Sequence, residues 1–394
     1  MNNGILVLVL LLLILPGCKE QEKSNVIPLN EELTNLNLLD HIFEDKRIVF
    51  LGEPSHGDGT IFEARVAMIK YLHETHGFNN IVFESNYYDA EKVNDLNSSG
   101  NLSASDFKNA TFDIWGNVRE LDDLWDYIIQ EKDLKFRGMD FQPHHLMKTH
   151  FVQDLEKVID LDDREKKILS EILLQICGTT IEKRKSTASD DELEILVNIR
   201  EQLSKDGANK KLITGINSIL NYLKLYNIDS SVNFWAKQNF RDSIMFENLK
   251  IIANDNEKII VWLASAHGLE SPKHLTDTED LTEINASYSD YIPVGMLSKK
   301  KFRDSQLNIA FTGYEGAFRD FTDGKNYDFQ LDTYPSMEKT IVSKYNKPTY
   351  LSLSQIDSAF HSGILGYEPI LADWAKNFDA MIIFPVVEPS TFKN

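Results

Sequence analysis

From about residue 31 onward, short apolar runs ending in a glycine or polar residue alternate with longer stretches of helical periodicity. No other feature of this sequence limits the fold so strongly, because strands that alternate with helices return to parallel neighbours and build an α/β chain around a mainly parallel sheet. Strands are expected at RIVFLG (47–52), NNIVFE (79–84), LKFRGMD (134–140), KIIVWLA (258–264), YIPVGML (291–297), QLNIAF (306–311), TYLSLS (349–354) and AMIIFP (380–385). Between the third and fourth runs lies a segment that reads almost wholly as amphipathic helix. A crossover needs only one helix. The surplus, at about 145–250, is therefore expected as a helical insertion over the carboxyl ends of the strands, shaping a substrate pocket.

The amino-terminal end carries a different signal. GILVLVLLLLILPGCKEQ contains an apolar run too short to span a bilayer and suited to the core of an export signal. It closes on Leu15-Pro16-Gly17-Cys18, which resembles a bacterial lipobox. Residues 1–17 are thus expected to be a lipoprotein signal peptide, Cys18 a lipidated anchor in the cell envelope, and 18–30 a polar, flexible tether to a domain spanning 31–394. With two cysteines in the chain, lipid on Cys18 leaves Cys177 as the remaining thiol. The net charge of -20 argues against nucleic acid as a partner, which requires clustered lysine and arginine. A small molecule and, through the lipid, a membrane are the partners expected.

Chemistry is concentrated at strand ends. IVFLGEPSHGDGTIFEAR runs from a strand through a turn holding Glu53 and His56 into a helix closed by Gly77. Glu84 closes the next strand, Asp140 the third, and His267 follows the fourth. If these strands are parallel neighbours, Glu53, His56, Glu84, Asp140 and His267 converge on one sheet edge, where α/β proteins bind ligands. Arg65 lies two and a half turns along the helix and can reach that edge only by its long side chain or through loop curvature; otherwise it is a surface arginine. His73 and His76, at the helix end, are expected to cap its carbonyls. His144, His145 and His150 follow Asp140 closely and read as a solvated loop or, alternatively, as a second polar cluster.

The chain has no G-x-S-x-G elbow, phosphate loop, G-x-G-x-x-G or H-E-x-x-H motif. A histidine flanked by carboxylates suits activation of water by general base catalysis, and equally suits a divalent metal.

GEPSHGDGTIFEAR resembles the G-E-x-x-H-G…R signature of the erythromycin esterase family. GFNNIVFES, FRGMDFQ, RDSIMFEN, VWLASAH and FDAMIIF follow in that family's order. The resemblance implies a three-layer α/β/α fold with a helical insertion, no cofactor, and hydrolysis of an ester or lactone, macrolide lactones being the family's substrate class. It implies His56 as general base, Glu53 or Glu84 as its orienter, Arg65 and His267 as groups that place or polarise the carbonyl, and Asp140, His144 and Trp262 as substrate contacts. One position departs: where the family reads W-A-H-N-A-H, this chain has Ala264 in place of the first histidine. Two other readings stand beside the hydrolase: a metal-dependent enzyme using Glu53, His56, Glu84 and His267 as ligands, and a binding lipoprotein without turnover.

Overall fold

The protein is described by a computed structural model over residues 25–177, 188–205, 210–231, 233–253 and 257–393. The apolar amino-terminal run and Cys18 lie outside the described residues. Among those described, no helix is long and apolar enough to cross a membrane.

Eleven strands are present among the described residues: β1 (Val26–Pro28), β2 (Ile48–Glu53), β3 (Asn80–Asn86), β4 (Lys135–Asp140), β5 (Ile259–Ala264), β6 (Gln306–Arg319), β7 (Asn326–Gln330), β8 (Thr349–Ser352), β9 (Phe360–Ser362), β10 (Ile370–Ala372) and β11 (Ala380–Val387). Nine form one sheet, in the order β1-β8-β11-β6-β2-β5-β3-β4 with β7 paired to β6. The six strands from β11 to β4 are mutually parallel. β8 pairs antiparallel to β11, the edge strand β1 antiparallel to β8, and the hairpin strand β7 antiparallel to β6.

Every residue of β2 and β3 is buried, as a parallel sheet with both faces covered requires. Side-chain alternation divides β2 between two cores. Val49 and Leu51 pack with Ile61, Phe62, Ile69 and Leu72 of the helix Gly59–His76, whereas Ile48 and Phe50 pack with Met245 and Leu249 of the helix Ala236–Ile252. Helices on both faces give the three-layer arrangement expected.

Four further helices (His145–Glu156, Asp163–Ile176, Asp190–Lys205 and Lys210–Tyr226) lie between β4 and the crossover helix Ala236–Ile252. Their core is separate from the sheet's. Phe151, Leu155, Leu169, Ile172, Leu196, Ile216 and Tyr222 enclose it, joined by Tyr88 and Phe141 from just past the ends of β3 and β4. The insertion therefore sits on the carboxyl side of the strands.

Asp89 fixes one contact between the two parts. Its fully buried carboxyl accepts from the backbone N–H groups of His144 and Met147, at 3.1 and 2.7 Å, at the start of the helix His145–Glu156. Burial dominates over these hydrogen bonds and pushes its pKa up to about 8. The folded state thus holds a proton that the unfolded chain releases near pH 4. Between about pH 4 and 8 this group makes stability fall as pH rises. Asp89→Asn is expected to flatten that slope in urea unfolding measured across this range; an unchanged slope would show that Asp89 ionises normally.

Three expectations are corrected. YIPVGML is not a strand: Pro293 takes the N-cap position of the helix Val294–Phe302. Proline has no N–H for a sheet ladder, and Val294 N–H instead donates to Asp242 at 2.9 Å. The tether expected through residue 30 ends earlier, because Val26–Pro28 pairs with β8 and Leu29 is buried. His73 and His76 also leave the helix carbonyls alone. They meet Tyr127 Oη at 2.7 Å and Asp40 Oδ1 at 2.9 Å, while Gly77, in the left-handed region at φ 69°, closes the helix.

Candidate active site

The turn after β2 carries His56 into a cleft of about 430 Å³, which is also lined by Glu84, Phe112, Trp115, His144, Arg241 and Phe321. His56 Nδ1 lies 2.6 Å from Glu53 Oε1, and its side chain remains 22% exposed, enough to reach a substrate. Glu53 is itself fully buried. Its Oε2 is paired with Arg65, and its Oε1 also accepts from Trp115 Nε1 at 3.2 Å. Of the two carboxylates considered as orienter, Glu53 holds the ring.

Arg65 does not face the cleft. Its guanidinium is buried beneath Glu53, donates to the carbonyls of Leu51 and Leu263 at 2.6 and 3.3 Å, and lies 3.5 Å over the Trp262 ring. Burial lowers its pKa to about 10 against the opposing pull of Glu53, so it remains charged at neutral pH. Trp262 is likewise a core residue, stacked on Phe83 with ring centroids 5.0 Å apart. The roles of carbonyl placement for Arg65 and substrate contact for Trp262 are both corrected: two and a half helical turns point the arginine under Glu53, and Trp262 faces the sheet core.

The cation at the cleft is Arg241, which stands on the crossover helix. Its Nε and Nη2 donate to Asp140 Oδ2 at 3.0 and 2.8 Å, Nη2 reaches Glu84 Oε2 at 3.2 Å, and Nη1 is 3.0 Å from His267 Nε2. Burial works against its charge, but Asp140 and Glu84 outweigh it and raise the arginine's pKa. Asp140 is completely buried and also accepts from the Phe141 and Gln142 backbones. It is therefore a support for Arg241 and not the substrate contact expected. His267 also stands behind the arginine, with Nδ1 2.8 Å from Asp242 Oδ1 and 3.1 Å from Tyr291 Oη. Burial disfavours the charged ring, but Asp242 and Glu84 together raise its pKa.

Glu84 reaches the cleft through a local distortion. The pairing of β3 with β4 shifts register between Phe83 and Asn86, and bulges of this kind re-aim side chains. Gly138 of β4 permits it, since a Cβ there would stand 2.4 Å from the Ser85 and Asn86 carbonyl oxygens. Glu84 Oε1 accepts from Ala264 N–H at 2.5 Å. Burial would raise its pKa, but His267, Arg241 and His56 hold it below the ordinary value. His144 lines the cleft with its ring edge-on to Phe112, centroids 4.4 Å apart.

The strand-end residues thus meet as two linked sets, Glu53–His56–Arg65 and Glu84–Asp140–Arg241–His267. The donors a metal would need are already engaged: Glu53 by His56, Trp115 and Arg65, Glu84 by Ala264 and Arg241, His267 by Asp242 and Arg241. Among the described residues no three potential ligands converge on one point.

Trp115, Phe321 and Arg241 are functional candidates that strand-end reasoning did not single out. Phe321 sits on the β6–β7 turn, and only the fold brings its ring within 5.3 Å of His56. Arg241 had one available signal, its place in RDSIMFEN.

A carboxylate-paired histidine opening onto a cleft at the carboxyl edge of a parallel sheet is an arrangement suited to activating water. Comparison with known proteins gives its type. The profile of the erythromycin esterase family matches residues 73–387. YbfO of Bacillus subtilis (strain 168), whose name assigns it provisionally to the hydrolases, is 25% identical over 331 residues, covering 75% of this chain and 71% of YbfO. Three solved structures share the fold. A protein of Bacillus cereus has a TM-score of 0.69 at 19% identity, covering 94% of this chain and 97% of its own. A protein described as acting in succinoglycan biosynthesis has a TM-score of 0.74 at 16% identity, with the same coverage. A mutant of the erythromycin esterase EreC, in its open conformation, has a TM-score of 0.67 at 18% identity, covering 92% of this chain and 98% of its own. The chain belongs to the erythromycin esterase family and is a hydrolase of the esterase type. The matched stretch begins after the turn that holds Glu53 and His56.

Proposed function

We propose that the protein hydrolyses a carboxylic ester or lactone with a water molecule activated by His56 and without a metal. The observation that carries this reading is the 2.6 Å contact between His56 and a buried, arginine-paired Glu53 at the wall of the cleft. A carboxylate that accepts from Nδ1–H fixes the tautomer and leaves Nε2 to take a proton. Water oxygen then adds to the carbonyl carbon as His56 accepts its proton, and negative charge gathers on the former carbonyl oxygen. Arg241, held by Asp140 and Glu84, is the cation placed to stabilise that charge. Collapse breaks the acyl–oxygen bond, and the departing alkoxide recovers the proton from His56.

The cleft, at about 430 Å³, falls toward the lower end of the roughly 300–1,000 Å³ typical of small-molecule sites. Compact esters and lactones are therefore expected to be turned over faster than macrolides, and Ala264, in place of the histidine seen in the family, points the same way. A turnover screen over aryl esters, lactones and macrolides, with and without chelator, tests the reading. Activity that disappears with chelator and returns with zinc or manganese would favour the metal-dependent alternative. Tight binding without turnover of any of these compounds would favour a binding lipoprotein.

We further propose export and lipid anchoring at Cys18, supported by the apolar run ending in Leu15-Pro16-Gly17-Cys18. In detergent phase partitioning, wild type is expected in the detergent phase and Cys18→Ala in the aqueous phase. Equal partitioning of the two would rule lipidation out.

A further inference from the structure

The turn that carries His56 has no ladder of its own. Between the end of β2 at Glu53 and the helix beginning at Gly59, its backbone is held chiefly by groups remote in sequence. The Gly57 carbonyl accepts from Arg319 N–H at 3.1 Å, at the turn end of the β6–β7 hairpin, and from Ser390 N–H at 2.8 Å, in the segment after β11. Asp58 forms an isolated bridge with Pro389. Thr60 Oγ1 accepts from Glu388 N–H at 2.9 Å. Packing is tightest at Gly57, where a Cβ would stand 1.8 Å from the Arg319 carbonyl oxygen.

The same short segment grips a second part of the site. Arg119 N–H donates to the Thr391 carbonyl, and Lys393 N–H to the Asn117 carbonyl, both at 2.9 Å. Thr391 N–H donates to Glu120 Oε1 at 2.8 Å, and Val118 bridges Phe392. These contacts fasten the stretch that presents Trp115, whose indole N–H holds Glu53. Residues 388–393 therefore tie together the base, through Gly57, and the orienter of the base, through Trp115. They lie beyond the stretch matched by the family profile, which ends at 387.

We propose that the 388–393 segment is a positioning strap for His56, acting through the Ser390 N–H in concert with that of Arg319. The role rests on His56 being the base, as proposed above. Misplacement of a catalytic group by about 1 Å can cost on the order of 10²-fold in rate, and the turn's own bonds, Ser55 N–H to Asp58 Oδ2 at 3.1 Å and Gly57 N–H to Ser55 Oγ at 3.3 Å, leave the Gly57 carbonyl to its remote donors.

Ser390→Pro removes the donated N–H, whereas Ser390→Ala removes the buried hydroxyl and keeps it. On whichever ester the screen identifies, Ser390→Pro is expected to lower kcat by about 10²-fold with KM within a few-fold of wild type and no comparable fall in Tm. Ser390→Ala is expected to behave as wild type. Hydrogen exchange at residues 55–60 supplies a readout independent of turnover: protection is expected to fall in Ser390→Pro and in Gly57→Ala, and to persist in Ser390→Ala. Equal losses in the Pro and Ala variants, an effect confined to KM, or unchanged exchange in Ser390→Pro would each overturn the strap. If wild type hydrolyses none of the esters, the exchange comparison still decides whether the strap holds the turn, and only the hydrolytic reading of His56 falls.

Discussion

His56→Asn is expected to lower kcat by about 10²- to 10⁴-fold, the usual cost of losing a positioned general base, while unfolding in urea stays close to wild type. The side chain is partly exposed and its one close polar partner is Glu53, to which an asparagine amide can still donate, so the fold has little to lose. Glu84→Gln is expected to do less harm, because the amide oxygen can still accept from Ala264 N–H and Arg241 retains Asp140. Single-turnover kinetics on the best ester from the screen would compare the two. A His56→Asn enzyme within a few-fold of wild type would remove His56 from the mechanism.

The second large effect concerns stability. Arg65→Met is expected to lower the free energy of unfolding by about 3–5 kcal/mol, the cost of leaving one member of a buried ion pair without its partner. Both Arg65 and Glu53 are fully buried, and the arginine also satisfies two backbone carbonyls and stacks on Trp262. Removing both charges, in Glu53→Gln/Arg65→Met, is expected to recover part of the loss, because the stranded carboxylate is gone. Activity does not return with it, since His56 has then lost the carboxylate that fixes its tautomer. Urea titrations of the single and double variants separate these effects. A single variant within about 1 kcal/mol of wild type would mean that water or rearrangement compensates Glu53, contrary to the burial seen here.

The mainly parallel sheet was legible because buried parallel strands are continuous apolar runs, and β2, β3, β4 and β5 are each read to within a residue or two. The edge strand Val26–Pro28 was not, since its three residues gain their structure from pairing with β8, and no local pattern marks them. YIPVGML misled for a related reason: an apolar run states that residues are buried but not in which conformation, and Pro293 decided for a helix.

For the site, the sequence by itself determined that Glu53, His56, Glu84 and Asp140 stand at strand ends, because strand boundaries are set by local chemistry. Only the tertiary structure decided what each one touches. Arg65 is directed under Glu53 by the helix that packs on β2, Arg241 is brought to Asp140 and Glu84 from a helix about a hundred residues downstream of Asp140, and Phe321 meets His56 from the far end of a hairpin. Periodicity fixes which face of an element is buried, but the partner across that face depends on strand order, and strand order comes from the packing of the whole sheet.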